Sequence, residues 1–257
     1  MDKFSVVLLG AGNVASFLLH ALKARGITVE KIIARNRDKV SALAAGTDTP
    51  WSCDFSDTGS EKNIIISAVS DSAAGELWAR CDFGKRLVLH TAGTLPLSAL
   101  KKFAVNCGVL YPLQSISAKE LPESSRVPFL VEADSPENLE KVRSLAGVLS
   151  PQVYECTSEK REKLHLAAVF ANNFSNLCFR IAWELAEKEG LPPELLLPLI
   201  EETCRKLHRM TPAEAQTGPA RRGDGNVMQK HLELLADMPE TADFYRLASS
   251  GIRRRTK

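Results

Sequence analysis

The stretch VVLLGAGNVASFLLHAL at residues 6–22 constrains this chain more than any other. An aliphatic run ends at Gly10, and helical periodicity begins at Asn13. Gly10, Gly12 and Ala15 fit the spacing G-x-G-x-x-G/A between a strand and a helix. In that pattern the first glycine makes a tight turn and the second lets a pyrophosphate approach the backbone. The small third residue lets helix and strand pack closely. The helix start adds free N–H groups and a positive dipole end. Gly10, Ala11, Gly12, Asn13 and Val14 are therefore expected to line a dinucleotide phosphate site.

The following residues repeat the strand–helix alternation. VEKIIARN reads as a strand, RDKVSALAAG as a helix closed by Gly46, KNIIISAVS as an apolar strand and SAAGELWARC as a helix. RLVLHTAG is a further strand. Such alternation predicts a parallel sheet with crossover helices, and near-continuous apolar strands fit a sheet covered on both faces. CGVLYPLQS, VPFLVEA and PQVYEC continue the strands. Ser135 and Pro136 mark the start of a helix between the last two. From about residue 158 onward every pattern is helical. The expected division is an α/β domain over 1–157 and an all-α domain over 158–257.

Ligands of open parallel sheets sit beyond the carboxyl ends of the strands. After the second strand an acid usually binds the ribose hydroxyls, but this chain has Arg35, Asn36 and Arg37 there. Paired guanidiniums hold a 2′-phosphate by charge-assisted bonds, so the cofactor expected is NADP. Ala68, Val69 and Ser70 close the next strand and are expected to line the cofactor. His90 and Thr91 end another strand, where His90 either orients a substrate or caps the sheet edge. Gln114 follows a further strand and is compatible with the same cleft.

On the long helical run, Leu164, Ala167, Ala168, Ala171, Phe174, Cys178 and Ile181 form an apolar face. His165, Asn172 and Asn176 fall on one stripe beside it, with Asn173 adjacent. Unperturbed imidazole titrates near neutrality, so His165 is the proton-donor candidate, with Asn172 orienting it or the substrate. Further on lies QTGPARRGDGN at 216–226. Pro219 and the glycines are expected to keep it non-helical, with Arg221 and Arg222 meeting a phosphate or an acidic substrate group. A local Arg222–Asp224 ion pair is the alternative. No pair of ligands has a metal-site spacing.

Composition excludes other classes. With 257 residues and a formal net charge of +2, the chain lacks the strongly basic face of a nucleic-acid binder. The basic ending GIRRRTK reads as a solvated terminal run. No stretch approaches the ~18 apolar residues of a membrane span. The N-terminal run reads as a strand and not as a signal peptide. The six cysteines form no CxxC pair, and several lie in apolar runs, such as Cys178. They read as reduced, buried thiols of a cytoplasmic protein.

GAGNVA, NR at 36–37, AVS at 68–70 and the break into a long helix after VYEC resemble the pyrroline-5-carboxylate reductase and β-hydroxyacid dehydrogenase group. LHTAGT, YPLQS, LHLAAVFANNF and TGPARRGD together resemble more closely a family of uncharacterised Rossmann-like proteins. These are commonly described as NADP oxidoreductases and carry their own C-terminal helical domain of unknown function. The resemblance covers nearly the whole chain. It implies a Rossmann-like N-terminal domain, an all-α C-terminal domain and a homodimer. One departure matters. The β-hydroxyacid dehydrogenases place a catalytic lysine one turn before an asparagine on the long helix, where this chain has Ala168 and Val169. Their lysine-dependent mechanism is unsupported here.

The function expected is an NADP-dependent oxidoreductase that moves a hydride between NADP(H) and a small carbonyl or imine compound. His90, Thr91, Gln114, Asn173, Arg221 and Arg222 are the substrate-binding candidates. The alternatives are a non-catalytic NADP-binding sensor or interaction protein, and a reductase that pairs NADP with a deazaflavin partner.

Overall fold

The computed structural model of the protein describes residues 5–59 and 64–255. The chain divides into two compact units, Met1–Asn172 and Asn173–Lys257.

The first unit is built on one eight-stranded sheet. Along the chain come β1 (Ser5–Leu9), α1 (Asn13–Ala24), β2 (Thr28–Ile33), α2 (Arg37–Ala45) and β3 (Trp51–Ser52). Then follow β4 (Ile64–Ser67), α3 (Asp71–Trp78), β5 (Leu87–His90), α4 (Leu97–Leu100) and β6 (Asn106–Pro112). β7 (Phe129–Ala133), α5 (Pro136–Leu149), β8 (Val153–Glu155) and α6 (Ser158–Ala168) complete it. The strand order is β3-β2-β1-β4-β5-β6-β7-β8. The direction of winding thus reverses between β1 and β4, at the glycine turn. All neighbouring pairs are parallel except β6 and β7, which run antiparallel. β3 and this antiparallel step are absent from the sequence reading.

Alternation along β1 shows why its run is uniformly apolar. Val6 and Leu8 pack with Phe17, Leu18 and Leu22 of α1 and Leu145 of α5. Val7 and Leu9 face the other way, into a cluster with Ala74, Leu77 and Trp78 of α3. Both faces of the sheet are therefore dry. The expected cap of α5 is present, because the Ser135 hydroxyl accepts from the Asn138 N–H.

The expected boundary after residue 157 falls instead between Asn172 and Asn173. The reason is chemical, since the first two turns of α6 are bonded to the sheet. Arg161 is fully buried, and its Nη1 donates to Glu132 Oε2 of β7 at 2.7 Å. Its Nη2 donates to the Leu95 carbonyl. The Ser158 hydroxyl donates to the same Glu132 oxygen at 2.7 Å and accepts from the Leu97 N–H at 2.9 Å. Past Ala168 the helix widens into a π-helical segment, Val169–Phe174, which contains Asn172 and Asn173. Its i→i+5 bonding shifts the facing of all later residues, so the single stripe drawn through His165, Asn172 and Asn176 does not hold.

The second unit is helical: α7 (Ser175–Lys188), a 3₁₀ turn (Pro193–Leu196), α8 (Leu197–Lys206), α9 (Pro212–Ala215), α10 (Pro219–Arg222), α11 (Gly225–Leu234) and α12 (Pro239–Arg255). Residues 219–222 are thus a helical turn and not the irregular loop expected. Proline at the first helical position is preorganised for a helix, and the flanking Gly218 and Gly223 have positive φ of 101° and 72°. The apolar face expected on the long helix is largely exposed. Leu164, Ala167, Ala171, Phe174 and Cys178 are exposed, while Ala168 and Ile181 are half-buried. All six cysteines are free, but only Cys107 is buried, which corrects the expectation of buried thiols. No helix among the described residues is long and apolar enough to cross a membrane.

Removing one partner of a buried ion pair leaves the other charge uncompensated and costs about 3–5 kcal/mol. Arg161→Ala is expected to lower the unfolding free energy by about that amount in urea titrations. A loss below about 1 kcal/mol, the worth of a surface pair, would show that the pair does not hold α6.

Candidate active site at the carboxyl ends of the strands

Gly10 ends β1 with φ +117°, a conformation that side chains disfavour. A Cβ there would stand 2.4 Å from the Ala68 carbonyl oxygen, so the ends of β1 and β4 approach as closely as only glycine allows. Gly10 donates to the Ile33 carbonyl and the Ala68 N–H donates to Leu9, both at 2.7 Å. Ala11 and Val14 pack against the core on the α1 side.

Gly12 differs. It is the N-cap of α1, and a Cβ there would meet nothing within 4 Å. No side chain caps this helix, and its first turn carries no acid. Open space therefore lies over backbone N–H groups at the positive end of a helix dipole, the arrangement that binds a phosphate. Asn13 Oδ1 accepts from the Ala118 N–H at 3.3 Å and ties the loop after β6 to this corner. The residues present thus fit a dinucleotide pyrophosphate.

Beyond β2, Arg35 and Arg37 are exposed, and Asn36 caps α2 through its side chain. The Arg37 guanidinium lies 5.5 Å from the centre of the Trp51 ring, in cation–π range. Arg35 reaches Glu76 only at 3.9 Å. Trp51 was not singled out from the sequence, because it lies on the short β3. Ser70 is the N-cap residue of α3 but makes no side-chain capping bond.

His90 and Thr91 end β5. Both are buried, and the Thr91 hydroxyl donates to the Ser67 carbonyl at 3.3 Å. His90 Nδ1 accepts from the Ala92 N–H at 3.2 Å, and Nε2 is buried without a partner. The imidazole is thereby held as a neutral ring. Burial, and then the nearby Arg161 guanidinium, push its pKa from 6.5 down to about 3.

His165 is half-buried on α6, one turn after Arg161. Its Nδ1 lies 2.9 Å from the Tyr111 hydroxyl of β6, and the two rings meet edge to face at 78°. Its seat is the loop after β5. A Cβ at Gly93 would stand 2.6 Å from Nδ1 and 2.7 Å from Cγ, so any larger residue would displace the ring. The structure thus brings His165 to the strand end that carries His90, through two residues, Tyr111 and Gly93, absent from the sequence-derived set. They belong to the motifs YPLQS and LHTAGT, but their partner is far away in sequence.

The other candidates are placed less tellingly. Gln114 is exposed, and its Oε1 accepts from the Ser115 N–H. Asn172 is exposed in the π-helical segment. Asn173, Arg221 and Arg222 belong to the second unit. Arg221 donates to the Ala213 and Gln216 carbonyls, which makes it a clamp on its own loop. Asp224 caps α11 by accepting from the Val227 N–H, and among the described residues it is not ion-paired with Arg222.

The sheet order and the uncapped glycine turn at its switch point define a dinucleotide-binding protein of the Rossmann class. A solved structure from Bacteroides fragilis, described as a putative NADP oxidoreductase, is 36% identical over 98% of each chain with a TM-score of 0.93. This chain belongs to the family of that protein. A family profile described as a domain of unknown function (DUF2520) matches residues 127–252. The fold is shared with a 1-pyrroline-5-carboxylate reductase of Streptococcus pyogenes, at 14% identity over 97% of this chain and 98% of that one, TM-score 0.66. It is also shared with an imine reductase of Streptomyces aurantiacus, at 16% identity over 97% and 93%, TM-score 0.65. A comparison with curated proteins found no match in sequence.

The depressed His90 pKa has a consequence for stability. Protonation favours the unfolded chain, whose imidazole has its ordinary value, so the stabilisation is complete above about pH 6.5 and is lost toward about pH 3. Urea titrations across that window are expected to show a steeper loss for the wild type than for His90→Gln. Parallel curves would show that His90 titrates normally.

Proposed function

We propose that the protein is an NADP-dependent oxidoreductase acting on a small carbonyl or imine compound. The observation that carries this reading is the seating of His165, through Gly93 and Tyr111, at the carboxyl end of the sheet that also presents the uncapped start of α1. A protein that only bound the nucleotide would have no need of an imidazole held there.

When bound, NADPH would supply a hydride to the carbon of a C=O or C=N group. The chain's own residues do the rest. Gly12 and the first N–H groups of α1 hold the pyrophosphate, with Gly10, Ala11, Asn13 and Val14 shaping the turn. Arg35 and Arg37, exposed beyond β2, would hold the 2′-phosphate. Ala68, Val69 and Ser70 form the next strand end. As the hydride reaches the carbon, His165 in its imidazolium form gives a proton to the oxygen or nitrogen and is left as the neutral ring, and Asn172 orients the substrate. His90 stays neutral and, with Thr91, shapes the floor.

Titration with NADPH and NADH tests the cofactor reading. NADPH is expected to bind more tightly, Arg35→Ala with Arg37→Ala to erase most of that preference, and Gly12→Val to weaken both by tenfold or more without unfolding the apo-protein. With NADPH bound, His165→Ala is expected to lower kcat on a carbonyl and imine panel by 10²-fold or more, the span of general acid catalysis. Absence of binding to either nucleotide would overturn the whole reading, and unchanged kcat would remove His165 from it.

We propose as well that the working form is a homodimer. Among the described residues of the second unit only Ala220, Leu235 and Ala242 are buried apolar residues, while Leu195, Leu199, Leu234 and Leu247 each expose 66% or more of their surface. Apolar surface on this scale favours cover by a second copy. Sedimentation at micromolar concentration is expected to give a dimer, and a monomer would exclude it.

A further inference from the structure

We infer that Tyr111 is a positioning residue that sets the tautomer of His165, so that the resting imidazole carries its hydrogen on Nε2. The inference rests on the proposed function only for what that hydrogen is used for.

A neutral imidazole has one N–H, and its partner decides which nitrogen bears it. Here Nδ1 faces the Tyr111 hydroxyl at 2.9 Å. Either the phenol donates to a bare Nδ1, or Nδ1–H donates to the phenol oxygen and the phenol hydrogen must find another acceptor. Tyr111 is 9% exposed, and among the described residues its hydroxyl has His165 as its one hydrogen-bond partner. The second arrangement leaves the phenol O–H without a protein acceptor among the described residues, which favours the first. Burial, opposed by Arg161 and reinforced by Asp71, holds the phenol above its ordinary value, so it keeps the hydrogen it must donate. The missing side chain of Gly93 leaves the room that the ring fills, since a Cβ there would stand 2.6 Å from Nδ1.

The consequence is a site that presents a hydrogen-bond donor. Among the described residues no acceptor meets His165 Nε2. A carbonyl oxygen or an unprotonated imine nitrogen accepts from Nε2–H, whereas an iminium brings its own N–H and meets donor with donor. Within the proposed reaction the substrates favoured are therefore those that reach the site with a free lone pair on the atom to be reduced.

The test reads the tautomer directly. ¹⁵N-histidine spectra of the apo-protein are recorded at a pH well above the ordinary imidazole value, with His165→Gln assigning the signals. The wild type is expected to show His165 protonated on Nε2 and bare on Nδ1. Tyr111→Phe, which keeps the ring and removes only the hydroxyl, is expected to bring in the Nδ1–H form and to lower kcat with KM little changed. A wild-type ring protonated on Nδ1, or a tautomer ratio that Tyr111→Phe leaves unchanged, would overturn the inference. If Tyr111→Phe does not fold, the wild-type spectrum decides by itself. Since the readout needs neither nucleotide nor turnover, an Nε2–H ring in a protein whose His165→Ala variant turns over normally would uphold this inference and sink the proposed role of His165.

Discussion

The Arg161–Glu132 contact is where the geometry of the first unit is made. A guanidinium with no solvent exposure needs its charge answered, and here β7 supplies a carboxylate to Nη1 and the segment before α4 a carbonyl to Nη2, while Nε is buried without a partner. Ser158 joins the same oxygen and receives the Leu97 N–H, so three separate segments meet on one polar knot inside an apolar unit. Such pairs rarely stabilise more than well-packed apolar residues would, because desolvation offsets most of the attraction. Arg161 ties α6 to Glu132 and to the Leu95 carbonyl, and His165 follows one helical turn later on the same face.

The same cation also acts on the chemistry. It opposes protonation of buried His90 and draws down the phenol of Tyr111, against the larger effect of burial on each. Two histidines thus meet at one strand end in different surroundings. His90 is sealed and neutral beside Trp78. His165 is half-open, with one nitrogen engaged by the protein. Environments that separate similar groups in this way are how a fold assigns different duties to the same side chain.

Much of the nucleotide half was legible because its physics is local. A glycine turn between an apolar strand and a helix is written in consecutive residues, and so is the Ser135 cap. The strands after Gly26 announce themselves by their apolar runs, since a sheet covered on both faces leaves no room for alternation. The antiparallel β7 was not legible, because direction depends on which neighbour a strand joins. Nor was the π-helical segment, which breaks the periodicity on which the His165–Asn172–Asn176 stripe was drawn. Pro219 was misjudged for a related reason. It stops a helix from continuing but favours one beginning, and only the observed Gly218 conformation shows which applies.

The candidate site divides along the same line. Gly10, Gly12, Arg35 and Arg37 could be named as candidates from spacing, because the role proposed for each rests on its own backbone or its place after a strand. His165 could be named only as a titratable group on a helix. Tyr111, Gly93, Arg161 and Glu132, which give it a position and a partner, come from β6, the loop after β5, α6 and β7. By itself the sequence determined a dinucleotide-binding sheet followed by helices, since hydrophobic period, caps and glycine turns are short-range constraints. The tertiary structure decided where the imidazole sits and which of its nitrogens faces the protein. Those depend on contacts between distant segments, and on a buried charge that a carboxylate of another strand must answer.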